Sequence, residues 1–437
     1  MNSKGQSLYR KAKLRIPGGT QLLSKRPELF LPEQWPSYYS QAKGVEVWDL
    51  DGNKYVDMSY MGIGACILGY ADAEVDNAVK AAIASGSMCT LNSPEEVELA
   101  DLLCELHPWA AMVRYARTGG EAMAIAVRIA RARTKKDKIV FCGYHGWHDW
   151  YLAANLGEED ALDGHLLPGL QPTGVPRCLK NTAFAFHYNK IGELKAIVSQ
   201  HRAEIAAIIM EPVRSHEPEP GFLEEVKEIA KSIEAVLVFD ETSSGWRLTT
   251  GGAHLLYGVT PDIAVFAKAI SNGYPMAAII GTEDVMQAAQ DSFISSTYWT
   301  ERIGPATALA TIRKHRRCNV SGHLISVGKR VQSGWASVAE RQGLRISVGG
   351  IPPLAHFSFD YENGQAIRTL FTQEMLEKGF LATSAFYACY AHKDRYIKGY
   401  LKALEDVFAS IAEAIKKGEV EKRLRGPIAH SGFYRLT

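Results

Sequence analysis

Two short stretches decide the fold of this chain: Val236-Leu-Val-Phe-Asp240 and Asp262-Ile-Ala-Val-Phe-Ala-Lys268. Each contains an uninterrupted apolar run of strand length, and each ends in a charged residue. Such runs are typical of strands that are buried on both faces of a parallel sheet. Similar runs occupy residues 139–142, 206–210 and 277–280, and stretches of helical periodicity separate several of them. The pattern predicts an α/β fold whose mostly parallel sheet is flanked by helices.

Helices, a hairpin and a further strand complete the predicted secondary structure. The apolar spacing predicts helices over residues 8–14, 74–84, 94–106, 121–134 and 396–417. Residues 44–57 alternate apolar and polar side chains around Asp51-Gly52, which predicts a β-hairpin. Residues 355–359 read as a strand.

The length of the chain predicts two domains. At 437 residues it is too long for one ordinary hydrophobic core. We assign residues 66–311 to a large domain built on the sheet. Residues 1–65, which hold an N-terminal segment and the hairpin, are expected to join residues 312–437 in a smaller α+β domain built from both termini.

Composition excludes several classes of protein. A formal charge of +1 gives no basic surface for nucleic acid or anionic membranes. The seven cysteines are scattered without a Cys-x-x-Cys pair, which argues against a disulfide framework and against a zinc site. The N-terminus has no apolar core for a signal peptide, and no apolar stretch is long enough to span a bilayer. We therefore expect a cytoplasmic protein.

Polar residues follow four of the predicted strands at the point where each strand ends. Tyr144 and His145 follow the run 139–142, Glu211 follows the run 206–210, and Asp240 and Lys268 close the two stretches quoted above. Ligands of open parallel sheets bind beyond the carboxyl ends of the strands. These side chains are therefore expected to meet at one edge of the sheet.

Lys268 and Asp240 together indicate one cofactor. A lysine at a strand end is most often a solvated surface residue, and a structural salt bridge would also satisfy a carboxylate that closes an apolar run. A lysine that can form a Schiff base, paired with a carboxylate that keeps a pyridine nitrogen protonated, is what pyridoxal 5'-phosphate (PLP) chemistry requires. The joint placement of the two residues favours PLP.

The stretch Thr118-Gly-Gly120 precedes a predicted helix and could hold a phosphate. Two glycines and a hydroxyl at a helix N-terminus present free amides and the positive end of the helix dipole, although Gly-Gly before a helix also marks ordinary turns. Tyr144 could stack on an aromatic cofactor or pack in the core. Glu211 could orient polar groups near a ring or cap the turn after its strand.

The order of these motifs resembles that of a known family. Five motifs follow one another in the order found in the class III, fold type I, PLP-dependent aminotransferases. They are Gly-Gly-Glu-Ala, Tyr-His-Gly, Met-Glu-Pro, Phe-Asp-Glu-Thr and Ala-Lys. Within that family the chain is most similar to the glutamate-1-semialdehyde 2,1-aminomutase subgroup, over nearly its whole length. Residues 8–19, 174–176, 187–189 and 221–223 carry the subgroup resemblance. The resemblance implies a seven-stranded type of sheet in the large domain.

The resemblance also implies roles for individual residues. Lys268 would bind PLP as a Schiff base and carry protons, and Asp240 would pair with the pyridinium nitrogen. Tyr144 would stack on one face of the ring while Thr242 packs on the other. The remaining residues implied at the cofactor are Thr118, Gly119 and Gly120 at the phosphate, with His145 and Glu211 nearby.

Family members also use a threonine from the neighbouring subunit, which implies a homodimer with its active sites at the interface. In this sequence Thr297 and Thr300 lie in the corresponding region. The spacing to Pro305 favours Thr300, whereas the Ser-Thr-aromatic pattern favours Thr297. Both remain candidates.

Departures from the aminomutase subgroup bear on the reaction. Tyr387 stands where that subgroup has a gating glutamate, Thr173 replaces a serine, and Ile63 replaces a tryptophan. Loss of the acid at residue 387 weakens the case for an aminomutase. The predicted function is a ping-pong aminotransferase whose PLP cycles with pyridoxamine 5'-phosphate between an amine donor and a ketone or aldehyde acceptor. The alternative is an intramolecular aminomutase or a PLP epimerase.

The substrate is the least determined feature. Tyr387, Thr173 and Trp147 are the predicted substrate residues. A neutral, aromatic mouth that includes Trp299 would suit a sugar-like or aryl ketone as well as an amino acid. Recognition of a carboxylate usually needs an arginine fork, for which Arg26 and Arg302 are candidates. The small-molecule amine and carbonyl substrates therefore stay open.

Overall fold

The chain forms two units in the computed structural model, which describes residues 3–165 and 168–433. The central unit comprises residues 73–322, and the terminal unit comprises residues 1–72 and 323–437. The described strands are, in chain order, β1 (Tyr39–Lys43), β2 (Glu46–Asp49), β3 (Lys54–Met58), β4 (Met112–Ala116), β5 (Lys138–Cys142), β6 (Ala183–Ala185), β7 (Ile205–Met210), β8 (Val236–Asp240), β9 (Ile263–Phe266), β10 (Ala277–Gly281), β11 (Ile346–Gly349), β12 (Leu354–Phe359), β13 (Phe380–Ala382) and β14 (Ala385–Tyr387).

The described α-helices are, in chain order, α1 (Lys4–Lys13), α2 (Ala73–Ala84), α3 (Pro94–Leu106), α4 (Gly119–Thr134), α5 (Asp149–Leu152), α6 (Ala154–Gly157), α7 (Ile191–His201), α8 (Phe222–Ser232), α9 (His254–Tyr257), α10 (Glu283–Met286), α11 (Ile303–Arg317), α12 (Val320–Gln342), α13 (Gly364–Glu377) and α14 (Asp394–Lys417). Short 3-10 turns connect several of these helices and strands. Two of the turns, Lys268–Ser271 and Thr297–Thr300, carry residues singled out in the sequence.

The central unit is built on a seven-stranded sheet with the order β4-β10-β9-β8-β7-β5-β6. Only β10 runs against its neighbours, and β9, β8, β7, β5 and β6 are parallel in succession. Every residue of β7, β8 and β9 is buried. All of their side chains are apolar except that of Asp240, the last residue of β8. Helix α4 packs an alanine-rich side against them, including Ala122, Ala126 and Ala130.

The terminal unit contains two small sheets, with the orders β1-β2-β3-β13 and β11-β12-β14. The tight turn between β2 and β3 is held by Asp49, whose Oδ1 accepts hydrogen bonds from the amides of Asp51 (2.9 Å) and Asn53 (2.8 Å). This is the hairpin predicted around Asp51-Gly52. Strand β13 pairs in parallel with β3 and so joins the C-terminal part of the chain to its N-terminal part.

The predicted fold class is confirmed: a large, mostly parallel seven-stranded sheet with helices, and a smaller α+β unit. Two strands of the large sheet were not predicted, β4 and β6. Both lie at its edges, where β4 is only partly buried and β6 has three residues. Among the described residues, no helix combines the length and the apolar character that crossing a membrane requires.

Candidate active site

The carboxyl ends of four adjacent parallel strands place the predicted site residues along one edge of the central sheet. The strand register aligns Cys142 of β5 with Met210 of β7, and Asp240 of β8 with Val265 of β9. Glu211 is the first residue after β7, and Tyr144 and Lys268 are the second residues after β5 and β9. The sheet therefore brings side chains from four separate segments to one place, as ligand sites in such sheets require.

Asp240 is a buried, ionised carboxylate. Its Oδ2 accepts a hydrogen bond from Nδ1 of His145 at 2.8 Å, and its Oδ1 accepts one from the amide of Thr242 at 2.9 Å. Nε2 of His145 faces the carbonyl oxygen of Cys142 at 3.0 Å, which fixes the ring. Burial alone would raise the pKa of Asp240, but the His145 ring and the Thr242 contacts outweigh it and hold the pKa below its ordinary value.

Lys268 lies at the start of the turn after β9 with its backbone in the left-handed region, at a φ of +47°. Left-handed φ values are uncommon outside glycine, and they occur most often where a site constrains the backbone. Nζ lies 2.9 Å from Oγ of Ser243. Burial, reinforced by the nearby charge of Arg214, lowers the pKa of the Lys268 amine to about 8. A lysine with such a pKa carries a useful fraction of neutral, nucleophilic amine near neutral pH.

Glu211 holds Arg214 at this edge of the sheet. Nη1 of Arg214 lies 3.4 Å from Oε1 and 3.3 Å from Oε2 of Glu211. Gly143 lies against the same carboxylate at a φ of +109°, and a β-carbon there would lie 3.1 Å from Oε2. The close approach and the left-handed backbone together require glycine at that position. Arg214 and Ser243 are the two polar residues at the site that sequence reasoning missed.

The first turn of α4 has some of its amides capped by side chains and leaves two others open. Oγ1 of Thr118 accepts from the amide of Glu121 at 3.4 Å, and Oε2 of Glu121 accepts from the amide of Thr118 at 3.0 Å. This reciprocal pair is a capping box. Among the described residues, the amides of Gly119 and Gly120 donate to no protein oxygen. These two amides are placed to bind an anion at the positive end of a 16-residue helix.

Steric contacts explain why both residues of that turn are glycines. A β-carbon on Gly119 would lie 3.0 Å from Cγ2 of Thr242, and one on Gly120 would lie 3.1 Å from Cε1 of His148. The contact with Thr242 also links the α4 turn to the turn after Asp240. Oγ1 of Thr242 is buried and meets the geometry of no hydrogen bond within the described part of the chain, although it lies close enough to Asp240 to help hold the pKa of that carboxyl low. A buried hydroxyl that is so weakly satisfied can still take a hydrogen bond from a ligand.

The other predicted residues of the central unit lie on its surface. Thr297 and Thr300 are both exposed, and Oγ1 of Thr300 donates to the carbonyl oxygen of Thr297 at 2.9 Å. Thr173 is exposed as well. The indole of Trp147 is 70% exposed and stacks on the ring of His148 at a centroid distance of 4.5 Å. None of these four side chains is committed to the core.

Tyr387 lies in the terminal unit, at the end of β14. Its backbone pairs with Leu354 of β12, and its amide donates to the carbonyl oxygen of Ser59 at 2.7 Å. Its ring meets Tyr60 edge to face, with the centroids 5.2 Å apart. The residue is partly exposed, so its phenol can meet a small molecule.

Arg302 is unsuited to the role of a carboxylate fork that its sequence position allowed. Its Nε lies 3.0 Å from both oxygens of Glu95, and its Nη2 lies 2.7 Å from Oε1. The guanidinium is thus already paired in the two-pronged manner that a substrate carboxylate would need.

The residues gathered at the sheet edge offer groups that PLP chemistry uses. The Lys268 amine, whose pKa is lowered, lies at the same edge as the ionised carboxylate of Asp240. The amides of Gly119 and Gly120 lie at the N-terminus of α4. Residues 32–386 of the chain match the family described as Aminotransferase class-III. The chain belongs to this family. Its cofactor is PLP, and its activity is that of an aminotransferase.

Individual relatives cover almost the whole chain. The 3-aminobutyryl-CoA aminotransferase of Cloacimonas acidaminovorans is 32% identical, over 94% of this chain and 98% of its own length. The glutamate-1-semialdehyde 2,1-aminomutase of Nitrosospira multiformis is also 32% identical, over 93% of this chain and 99% of its own. The FumI protein of Sphingopyxis sp. MTA144, solved in its PLP internal aldimine form, superposes with a TM-score of 0.85 over 94% of this chain and 97% of that one, at 23% identity. The predicted resemblance to class III aminotransferases is confirmed, and so is the similarity to glutamate-1-semialdehyde 2,1-aminomutases.

Proposed function

We propose that Lys268 is the lysine to which PLP attaches and that Asp240 is the carboxylate that faces its pyridine nitrogen. The observation that carries this assignment is the ionised Asp240 at the end of β8, one strand away from a Lys268 amine whose pKa is lowered to about 8. An amine that loses its proton near neutral pH can act as nucleophile and base. A carboxylate held ionised stabilises a positive charge on a ring nitrogen.

Further residues of the chain complete the proposed cofactor site. The amides of Gly119 and Gly120, with Thr118, would hold the phosphate. Tyr144 and Thr242 would flank the ring, and His145 keeps Asp240 ionised and oriented. When bound, PLP supplies an electron-accepting ring that carries the amino group between the two half-reactions of a ping-pong cycle, alternating with pyridoxamine 5'-phosphate. Lys268 moves protons at Nζ.

The attachment site can be tested directly. Borohydride reduction of the purified enzyme, followed by digestion and mass spectrometry, is expected to place the cofactor on the peptide containing Lys268. The Lys268→Ala variant is expected to lose the label and all turnover. Label on another lysine, or a fully active Lys268→Ala variant, would overturn the assignment.

An aminomutase remains the second candidate because a relative of that name is 32% identical over nearly the whole chain. Tyr387 in place of an acid favours the aminotransferase. The two reactions differ in one requirement: a transaminase needs an external carbonyl acceptor and an aminomutase does not. Incubation with amine donors should therefore give turnover only when a keto acid or aldehyde is added. Sustained turnover without any acceptor would establish the isomerase.

We also propose a homodimer to which Thr297 or Thr300 contributes at the partner's phosphate site. Both threonines are exposed, and the neighbouring Phe293 and Tyr298 are 86% and 70% exposed. Large apolar side chains with such exposure are typical of surfaces that a partner covers. Sedimentation analysis is expected to give a dimer. Thr297→Ala and Thr300→Ala should identify the contributor, because only one of them should weaken PLP affinity.

Arg214 supports a substrate that carries an acidic group. Its ion pair with Glu211 uses one nitrogen, Nη1, at 3.3 and 3.4 Å, whereas Arg302 binds Glu95 with both Nε and Nη2 at 2.7–3.0 Å. The guanidinium of Arg214 is held by Glu211 at the same sheet edge as Lys268, and its positive charge acts on both the Lys268 amine and the Tyr144 phenol. The exposed indole of Trp147 instead supports a sugar-like or aryl ketone. A panel of acceptors with and without a carboxylate, tested on the enzyme and on Arg214→Gln, decides between them. A carboxylate substrate should lose affinity in the variant, and a neutral one should not.

A cytoplasmic location is proposed from the thiols. All seven cysteines are free, which is expected in a reducing compartment. Fractionation of cells that produce the full chain should recover the enzyme with cytoplasmic markers, and recovery with secreted markers would contradict the proposal.

A further inference from the structure

Ser243 is the side chain in contact with the amine of Lys268. It lies on the turn after β8, three residues beyond Asp240, and its Oγ is 2.9 Å from Nζ. The residue is only 8% exposed. The contact joins the turn after β8 to the turn after β9, so it spans the two strand ends that carry the proposed cofactor residues.

The backbone that carries the Ser243 hydroxyl is held on both sides. Nε of Arg247 donates to the carbonyl oxygen of Ser243 at 2.7 Å, and Arg247 is itself 1% exposed. On the other side, the amide of Thr242 donates to Oδ1 of Asp240. A side chain on a backbone held in this way loses little further entropy when it makes a hydrogen bond.

A hydroxyl has properties at this position that a carboxylate would lack. It can accept a hydrogen bond from an N–H of the charged amine, and it can donate one to the lone pair of the neutral amine. A carboxylate would favour the ammonium strongly and would raise the pKa of Lys268. A hydroxyl therefore aims the amine in both of its protonation states and leaves it able to lose its proton near pH 8, the value to which burial and Arg214 lower it.

We propose that Ser243 is a positioning residue that holds Nζ of Lys268 whenever the amine is not bonded to the cofactor. The inference rests on the proposed role of Lys268. When Nζ takes up a proton, the Ser243 hydroxyl turns from donor to acceptor, and when Nζ gives the proton up, the hydroxyl turns back. No proton is consumed and no bond of Ser243 is broken.

The first test measures Lys268 rather than turnover. In the full-length protein freed of cofactor by dialysis against an amine donor, the rate at which cyanate modifies Lys268 is followed against pH by peptide mass spectrometry. Ser243→Ala removes an acceptor from the charged amine, so the pKa of Lys268 should fall by about half a unit to one unit. Modification at pH 7 should therefore become about threefold to fivefold faster.

The second test measures the loaded enzyme. Without the hydroxyl, Nζ of Lys268 is no longer held in one orientation. We therefore expect kcat to fall about tenfold while KM stays within about twofold. General loosening of the fold would expose Lys268 and raise its pKa toward the ordinary value, because burial is the main cause that lowers it. A lowered pKa together with a slower kcat therefore distinguishes the loss of positioning from loosening. Ser243→Thr keeps a hydroxyl and should restore both values.

Ser244→Ala is the matched control, because the Ser244 hydroxyl lies on the same turn and donates instead to Oε2 of Glu241. It should leave the titration of Lys268 unchanged, and thermal unfolding reports whether each variant is folded. A folded Ser243→Ala protein with the wild-type titration and kcat would overturn the proposal. So would Ser243→Thr that behaves like the alanine variant, or Ser244→Ala that reproduces its shift.

Failure of this inference is distinguishable from failure of the proposed function. If borohydride reduction labels Lys268 while Ser243→Ala titrates as the wild type does, only the role of Ser243 is wrong. If the label appears on another lysine, the assignment of Lys268 fails and the role of Ser243 fails with it.

Discussion

At the scale of single residues, the site depends on a carboxylate that stays ionised although it is buried. An unpaired charge in that position would be strongly unfavourable. Asp240 avoids the penalty because His145 and the Thr242 amide contact both of its oxygens. The same two contacts leave the carboxylate oriented along the edge of the sheet, where a ring nitrogen can meet it.

Asp240→Asn tests that role. The amide side chain keeps the size of the carboxylate and can still accept from Thr242, but it cannot stabilise a positive ring nitrogen. We expect kcat to fall by about 100-fold or more, the typical effect of removing a charge aimed at a reacting group. Steady-state kinetics at saturating PLP measure it.

Asp262→Asn is the control for this substitution. Asp262 lies at the opposite end of the neighbouring strand, where its Oδ2 accepts from the amide of Leu237 at 2.8 Å. Its replacement should change thermal stability and leave kcat within about twofold. Equal losses of kcat in the two variants would show that the effect of Asp240→Asn is structural.

At the scale of elements, the first turn of α4 is both a helix start and the proposed phosphate site. Glu121 and Thr118 satisfy each other's amides, so the capping box stabilises the helix without using Gly119 or Gly120. The helix therefore keeps two amides for an anion while its N-terminus remains capped.

Gly119→Ala is expected to weaken the binding of PLP by about tenfold. The added β-carbon would lie 3.0 Å from Cγ2 of Thr242, so the turn or the threonine must shift by a few tenths of an ångström and the amides lose their alignment. Gly192 is the second residue of α7, and a β-carbon there would meet no atom within 4 Å, which makes Gly192→Ala the matched control. Titration with PLP and with unphosphorylated pyridoxal measures the effect, and equal losses for both ligands would contradict a phosphate site.

Sequence reasoning reached the elements that carry a strong local signal. Uninterrupted apolar runs identified β5, β7, β8, β9 and β10, and the order of motifs identified the family. Strand β4 was missed because Arg114 and Tyr115 break its apolar pattern, and it is only partly buried at the edge of the sheet. Partners such as Ser243 and Arg214 were missed because they lie in turns, where tertiary contacts rather than a periodic pattern decide the direction of a side chain.

At the scale of the whole molecule, each unit buries a neutral histidine. One ring nitrogen of each histidine donates a hydrogen bond and the other accepts one. In the central unit, Nδ1–H of His107 donates to the carbonyl oxygen of Leu103 and Nε2 accepts from the amide of Gly252. In the terminal unit, Nε2–H of His392 donates to the carbonyl oxygen of Asp57 and Nδ1 accepts from the amide of Cys389. A second ring proton would face an N–H group in each case.

These histidines predict a loss of stability in mild acid. Burial lowers the pKa of His107 and of His392 from 6.5 to about 4. Between pH 6.5 and pH 4 the unfolded chain binds protons that the folded chain does not, so the free energy of unfolding falls as the pH falls through that window. At pH 5 each histidine should cost roughly 1–2 kcal/mol. Urea unfolding at pH 7 and pH 5 measures the difference.

Two variants separate this effect from general acid sensitivity. His392→Gln should unfold at lower urea at pH 7, because its hydrogen bonds are imperfectly replaced, yet it should lose less stability than the wild type between pH 7 and pH 5. His216→Gln removes an exposed histidine and should leave the pH dependence unchanged. A wild-type free energy of unfolding that stays constant from pH 7 to pH 5 would contradict the prediction, as would an unchanged pH dependence in His392→Gln. The histidines would then be protonated in the folded chain, with the amides of Gly252 and Cys389 turned away from their rings.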